Sequence, residues 1–372
     1  MAAAQSWIDR VTRVLSSSLS EINPFRGEEP YIAVDIGSST IKLLEVRGKA
    51  GEVVAQAMAV VPTPSTAIQN NMVVEVDQVA ALIREACSHH GFRAKKAITA
   101  VPGPAVIIKR ISLPAQSEKE LEATILVEAG NFIPEDLENV NLDYQITDYL
   151  DEGRRMDVVL VAAKKDIVGS YSETLQVAGL QPIVVDVDYF ALENMFELSY
   201  EAPPDRAVAL VNIGARFSAI NILKNGRSTF TGDVPVGGRD ITESLMRDLG
   251  ISFEDAEALK AGQAADPELM EHASGVLEAA GAAVMDEIHH ALSFFWTAAT
   301  DETIDHIYLS GGGARMPGLA EQLAERVGAP VEVANPFVHL SLGEHVDRQA
   351  ALQRAPEFGV AVGLATRRPN DK

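Results

Sequence analysis

Apolar residues along this chain follow two rhythms, and the switches between them lay out its elements. Over 31–46 they run almost unbroken through a short polar turn, which predicts strand, turn and strand. A further strand is expected over 51–61. Over 76–88 the apolar positions recur at helical spacing, and strands over 97–101 and 106–113 flank Pro102-Gly103-Pro104. Ser117 and Glu120 have the spacing of a capping box, so a helix starts there and stops at Pro134. Segments 143–149 and 156–162 pair as a hairpin around 151–153. A helix over 166–178 ends at Gly179, where a left-handed cap suits glycine, and 182–186 re-enters the main sheet. After Ala202-Pro203-Pro204 the strand pattern returns over 207–215 and 217–223. Helices starting at Ile241 and Phe253, and a long one over 267–300, precede a strand over 304–309. A helix over 316–327 with Pro317 near its start, a strand over 331–333 and a helix over 356–367 complete the chain. In front of all this, Trp7, Ile8, Val11, Val14, Leu15 and Leu19 share one face of an amphipathic helix over 6–19, followed by a Pro- and charge-rich linker. That helix suits packing on its own domain as well as docking on a partner. With only Arg10 and Arg13 on its polar face, lipid insertion is disfavoured.

Two of the strand–turn–strand units repeat each other. Aligning Gly37 with Gly214 sets Asn212 under Asp35, 177 positions later (212 − 35), and internal repetition settles architecture before any local choice. In the first unit Asp35 ends a strand, where a carboxylate suits a metal ion or its waters. Gly37 removes the Cβ that would keep backbone from a phosphate. Ser38, Ser39 and Thr40 offer amides and hydroxyls in a concave turn, and Lys42 returns as a point charge. An isolated D-x-G is ordinary turn chemistry. Here a third place supports it: Gly311-Gly312-Gly313 lies between a strand and a helix, letting a ligand rest on backbone near a helix N-terminus.

These parts, in this order, resemble the actin, heat-shock-chaperone and sugar-kinase superfamily, in which two related domains close on ATP. The resemblance implies an α/β, actin-like two-domain fold on a duplicated ribonuclease-H-like core. In its terms Asp35 to Lys42 form the first phosphate loop, with Asp35 holding Mg²⁺ through water. Asn212, Gly214 and Ala215 form the second loop, and Gly311, Gly312 and Gly313 the adenosine loop. Gly237 and Gly238 match a phosphate-contacting segment, Glu257 and Lys260 the ribose contacts. Asp188, with Asp186 behind it, matches the acid that orients the attacking water. Residues 117–134, 142–144, 179–188 and 335–337 narrow the resemblance to the PilM family of type IV pilus assembly, which implies a small inserted α+β subdomain in the first domain. The expected units are an N-terminal helix and linker (1–30), a first domain (31–103 and 183–202), the insert (104–182), a second domain (203–335) and a C-terminal segment packing back on the first (336–372). The implied role is a cytoplasmic ATP-binding scaffold, peripheral to the inner membrane. It captures the cytoplasmic N-terminal tail of PilN near 106–132, joins motor ATPases and alignment proteins, and assembles as a homo-oligomeric ring. The alternatives are an FtsA-like nucleotide-dependent filament and a small-molecule kinase. Asn212 stands where the superfamily carries Asp, so at most weak ATPase activity is expected.

Composition narrows the partners. Across 372 residues, 53 Asp and Glu against 31 Lys and Arg leave a net charge of −22, a field that repels nucleic acid and anionic lipid. A single cysteine, Cys87, precludes an internal disulfide and fits a reducing compartment. No apolar run of about 18 residues suggests a membrane span, and the start lacks the pattern of a secretory signal. His89-His90 and His289-His290 lack metal-ligand spacing, and Phe294-Phe295-Trp296 reads as core. Residues 367–372 read as a frayed tail.

Overall fold

The duplication is visible in backbone hydrogen bonds. In the computed structural model, which describes residues 30–49, 52–263, 267–298 and 303–367, the amide of Gly37 donates to the carbonyl of Thr40 at 3.1 Å. Gly214 donates to Phe217 in the same way at 2.9 Å. A Cβ on either glycine would sit 2.9 Å and 2.8 Å from those two carbonyl oxygens. Neither turn admits a larger residue without shifting. The N-terminal amphipathic helix expected over 6–19 lies outside the described residues.

The two sheets carry the repeat outward. The first domain supplies β1 (Tyr31–Ile36), β2 (Thr40–Lys49) and β3 (Glu52–Pro62), a short hairpin of β4 (Ile68–Gln69) and β5 (Met72–Val73), helix α1 (Val76–His89) and β6 (Lys96–Val101). The insert follows with β7 (Val106–Pro114), α2 (Glu118–Phe132), β8 (Val140–Leu150) and β9 (Arg155–Lys164). The chain returns through α3 (Lys165–Val177), β10 (Gln181–Val187) and α4 (Asp188–Ser199). The second domain comprises β11 (Ala207–Ile213), β12 (Ser218–Lys224), β13 (Arg227–Val234), α5 (Gly238–Leu249), α6 (Phe253–Lys260), α7 (Pro267–Ala298), β14 (Ile304–Ser310), α8 (Leu319–Val327) and β15 (Val331–Val333). Strand order is β10-β6-β1-β2-β3-β16 in one sheet, where β16 is Leu340–Leu342, and β13-β12-β11-β14-β15 in the other. Reading β11 for β1, β12 for β2, β13 for β3, β14 for β6 and β15 for β10 superposes the two orders. In both, the opening hairpin is antiparallel and the later strands add in parallel. Parallel strands covered on both faces need continuous apolar runs, and β11 supplies one, with every residue but Asn212 buried.

The insert is a β7-β9-β8 sheet closed on one face by α2, which begins with the expected capping box: the Ser117 amide donates to Glu120 Oε2 at 3.0 Å. Its core is Ile111, Leu113, Leu121, Ile125, Met156, Val158 and Leu160. Helix α3, inside the segment 104–182 assigned by sequence to the insert, packs Ile167, Val168, Tyr171 and Leu175 into the first-domain core beside Ile32 and Ile83. The insert's own core is therefore confined to 106–164.

The C-terminal segment returns to the first domain. Strand β16 joins the edge of β3. Helices α9 (Arg348–Gln353) and α10 (Gly359–Thr366) follow, and α10 lies on α4. The helix expected over 356–367 is a 3₁₀ turn, Ala355–Phe358, leading into α10. Two further expectations fail for local reasons. The helix expected from 316 starts at Leu319, because Gly318 in the left-handed region (φ 81°) begins it and leaves Pro317 outside. Phe294, expected in the core, is 66% exposed on α7.

Candidate functional site

Between the two domains lies a cavity of about 530 Å³, within the range of small-ligand sites. The two repeated turns form its floor. Asp35, Gly37, Ser38, Ser39, Thr40 and Lys42 line it from the first domain, and Asn212, Gly214 and Ala215 from the second. The glycine run closes another side. Gly311 (φ 84°) and Gly313 lie against the end of β11, where a Cβ would come within 2.4 Å of the Ile213 carbonyl and 2.2 Å of its side chain; a Cβ on Gly312 would meet nothing within 4 Å. Gly312 therefore faces open space in the cleft. Glu257, Lys260, Gly238 and Asp188 also line the cavity. Gly237 does not: it sits behind the second turn, where a Cβ would lie 2.5 Å from the Gly214 carbonyl oxygen, and it supports the cleft from behind.

Most of the cationic groups are already paired. Lys42 Nζ lies 3.1 Å from Asp35 Oδ2. Lys260 Nζ reaches Glu257 Oε1 at 2.5 Å, Thr242 Oγ1 at 2.8 Å and the Gly238 carbonyl at 3.1 Å, while burial pulls its pKa down. Arg315 and Arg354 converge on the buried Glu357, at 2.7 Å and 2.9 Å. Burial opposes ionisation of Glu357, but Arg354, Lys42 and Arg315 together hold it below the usual carboxylate range. Asp186 is buried and paired with Arg367 at 2.6 Å, so Arg367 is anchored on the first domain and is not part of a frayed tail.

Asp188 differs from the other acids. Burial, then the neighbouring charges of Asp233 and Asp35, push it up to about 8, and its Oδ1 is buried without a hydrogen-bond partner. A neutral carboxyl with an unsatisfied oxygen facing a polar cleft suits a water or a bound polar ligand. The glycine cradles and the lysines fit a phosphate chain. The acids do not make a direct metal cage: Asp35 is tied to Lys42, Asn212 is uncharged, and no group of three ligating side chains occurs among the described residues. A cation would be held through water and phosphate oxygens.

Sequence reading missed Arg216, Asp233, Arg315, Arg354 and Glu357, all of which line the cavity. Arg315 follows the glycine run and Arg216 lies in the second turn, so their positions carried a signal. Arg354 and Glu357 reach the cleft only because the C-terminal segment folds back, which no local pattern reports. For the peptide site expected near 106–132, Ile111, Leu113, Leu121, Ile125 and Ala129 are buried in the insert, while Leu126, Val127 and Phe132 are 55%, 71% and 42% exposed.

Comparison with known proteins agrees with this architecture. A solved PilM-PilN type IV pilus biogenesis complex contains a chain that is 29% identical, with a TM-score of 0.77, and the match covers 90% of this chain and 97% of that one. The ethanolamine utilization protein EutJ from Carboxydothermus hydrogenoformans shares the fold at 18% identity and a TM-score of 0.54, covering 94% of this chain and 93% of that one. The cell division protein FtsA of Bacillus subtilis (strain 168) is 23% identical over 357 residues, 83% of this chain and 79% of FtsA. The family model described as type IV pilus assembly protein PilM matches residues 33–369, nearly the whole chain, and this protein therefore belongs to the PilM family of type IV pilus assembly proteins.

Proposed function

We propose that this chain is a cytoplasmic ATP-binding scaffold of the type IV pilus inner-membrane assembly complex, which captures the cytoplasmic N-terminal tail of PilN and links it to the motor ATPases and alignment proteins. The observation that carries the reading is the convergence of both glycine turns, the Gly311–Gly313 run, Lys42 and Lys260 on one interdomain cleft, in a chain with a structural relative solved as a PilM–PilN complex. No described helix is long and apolar enough to cross a membrane, so attachment to the inner membrane would come through partners. A ring of copies is part of the proposal.

In this reading the turn amides and Lys42 hold phosphates, Lys260 and Glu257 meet the ribose, and the adenosine lies along Gly311–Gly313. Mg²⁺, held by Asp35 through water, would supply charge neutralisation on the phosphates. Asp188 orients water at the cleft, and its high proton affinity makes it a poor base at neutral pH. With Asn212 contributing no charge in the second turn, hydrolysis is slow, because phosphoryl transfer depends on electrostatic positioning. The kinase alternative is disfavoured by the same Asn212. The filament alternative, suggested by the FtsA likeness, would appear as ATP-dependent sedimentable polymer.

The nucleotide assignment is tested by equilibrium binding of a fluorescent ATP analogue. Lys42→Ala removes a phosphate contact, and Gly312→Asp projects a negative charge into open space without a clash. Each is expected to weaken binding at least about tenfold, the order of a lost charge-assisted contact. Undiminished binding by both variants contradicts the assignment.

A further inference from the structure

Arg216 stands apart from the other cations of the cleft. Lys42, Lys260, Arg315 and Arg354 each face a carboxylate. Arg216, half-buried in the second turn, spends its guanidinium on neutral groups across the cleft: Nη1 donates to the Ile68 carbonyl at 2.9 Å and Nη2 to the Ser65 carbonyl at 3.1 Å. Among the described residues it has no carboxylate partner. Asn212, four residues earlier, removes the negative charge that a carboxylate there would add, so the 212–216 turn presents an uncompensated cation.

The carbonyls that Arg216 holds belong to a strap of the first domain, residues 63–73. The strap begins on the first turn, where Thr63 donates from Oγ1 to the Gly37 carbonyl at 2.7 Å and from its amide to the Ser39 carbonyl at 2.8 Å. It ends on α3, where the Val73 amide donates to Ser170 Oγ at 3.2 Å. Asn70 and Asn71, both at positive φ (49° and 65°), turn the β4–β5 hairpin at the cavity wall. The guanidinium therefore sits between the first phosphate turn, which anchors the strap, and the second, from which it projects. A phosphate gripped by both turns would lie in that interval, at the far end of a chain whose nucleoside would rest on Gly311–Gly313.

We propose that Arg216 is the residue by which the cleft distinguishes a nucleoside triphosphate from a diphosphate. This rests on the nucleotide reading above. The terminal phosphate draws the guanidinium away from Ser65 and Ile68, exchanging two hydrogen bonds to neutral carbonyls for a bidentate, charge-assisted pair, the stronger arrangement. The strap then loses its tie to the second domain. A diphosphate leaves the tie in place, so the two nucleotide states differ in how the strap is held.

The test is calorimetric titration of the full chain and of Arg216→Ala and Arg216→Lys with Mg-ATP and Mg-ADP, with hydrogen exchange of 64–73 read in parallel. The wild type is expected to prefer ATP, with exchange of the strap rising on ATP and not on ADP. Arg216→Ala is expected to lose about tenfold in ATP affinity with ADP affinity within about twofold. Arg216→Lys, which keeps the charge without the fork, is expected to recover part of that loss. An equal loss for both nucleotides, or an unchanged ATP-to-ADP ratio, overturns the role and leaves the nucleotide site standing. Binding of neither nucleotide by the wild type overturns the cleft reading and this inference with it.

Discussion

Several carboxyl groups in this protein hold their protons far more tightly than in an unfolded chain, and the cause is burial in each case. Burial takes Asp188 up to about 8, and it takes Glu193, Glu197 and Asp143 up to about 7. Glu197 is the neighbouring charge that adds most to the rise of Glu193, and Asp186 adds to that of Asp143, while Arg367 lowers all three of the groups near 7. Between the ordinary carboxylate pKa and these raised values the folded state binds more protons than the unfolded one. The slope of unfolding free energy against pH is then negative, and stability falls as pH rises from about 4 to about 8. The unliganded protein is expected to melt at a higher temperature near pH 6 than near pH 8.5. Asp188→Asn should flatten that dependence, which separates the local effect from general repulsion in a chain of net charge −22. A melting temperature that rises with pH over this window contradicts the assignment. The place of Asp188 in the cleft was legible in sequence through the family resemblance, which matched it to the acid that orients the attacking water. Its protonation was not, because burial and the approach of Asp233 come from β13, forty-odd residues downstream.

Elements meet closely where the C-terminal segment returns. On α10 a Cβ at Gly363 would lie 1.6 Å from the Ala191 carbonyl oxygen of α4, so the two helices touch backbone to backbone with no space between them. Helix α4 begins with Asp188, which makes this contact a support for the cleft. Gly363→Ala forces the helices apart and is expected to destabilise the protein by about 2 kcal/mol or more, the scale of core overpacking, seen as a reduced melting temperature; stability equal to wild type contradicts the packing. What sequence could show at this scale was the rhythm of each strand and the glycine or proline at its end, which is how both glycine turns and the insert hairpin were found. Which body an amphipathic helix joins is a different question. Helix α3 has an apolar face that fits either the insert or the first domain, and only the tertiary arrangement places Tyr171 and Leu175 under β1. The expected core role of Phe294 fails for a related reason: on this helix of 32 residues Ile288 and Leu292 take the buried face and leave Phe294 outside, and apolar composition alone does not say which face that is.

At the scale of the molecule, duplicated sheets enclose a cleft, an insert stands on the first domain, and the C-terminal segment ties one domain back to the other. Behind the cleft α4 and α10 pack their apolar side chains on Val208, Leu210 and Leu223 of the second domain, while polar contacts cross at the cleft itself. Arg216 reaches the strap from one side, and Arg315 with Arg354 share Glu357 on another. Such polar contacts can be exchanged for contacts to a ligand without disturbing the apolar packing behind them, as a population shift between two arrangements requires. The insert ends its sheet on β7 and β8 and carries the outward Leu126 and Val127; unpaired sheet edges and exposed apolar side chains are the features by which small domains take up extended peptides. The central claim, a scaffold that captures a partner's tail, is tested most directly by calorimetric titration of the Mg-ATP-loaded protein with a synthetic peptide of the cytoplasmic N-terminal tail of PilN. Saturable binding at one peptide per chain is the predicted result. Absence of binding, with nucleotide demonstrably in the cleft, would contradict it.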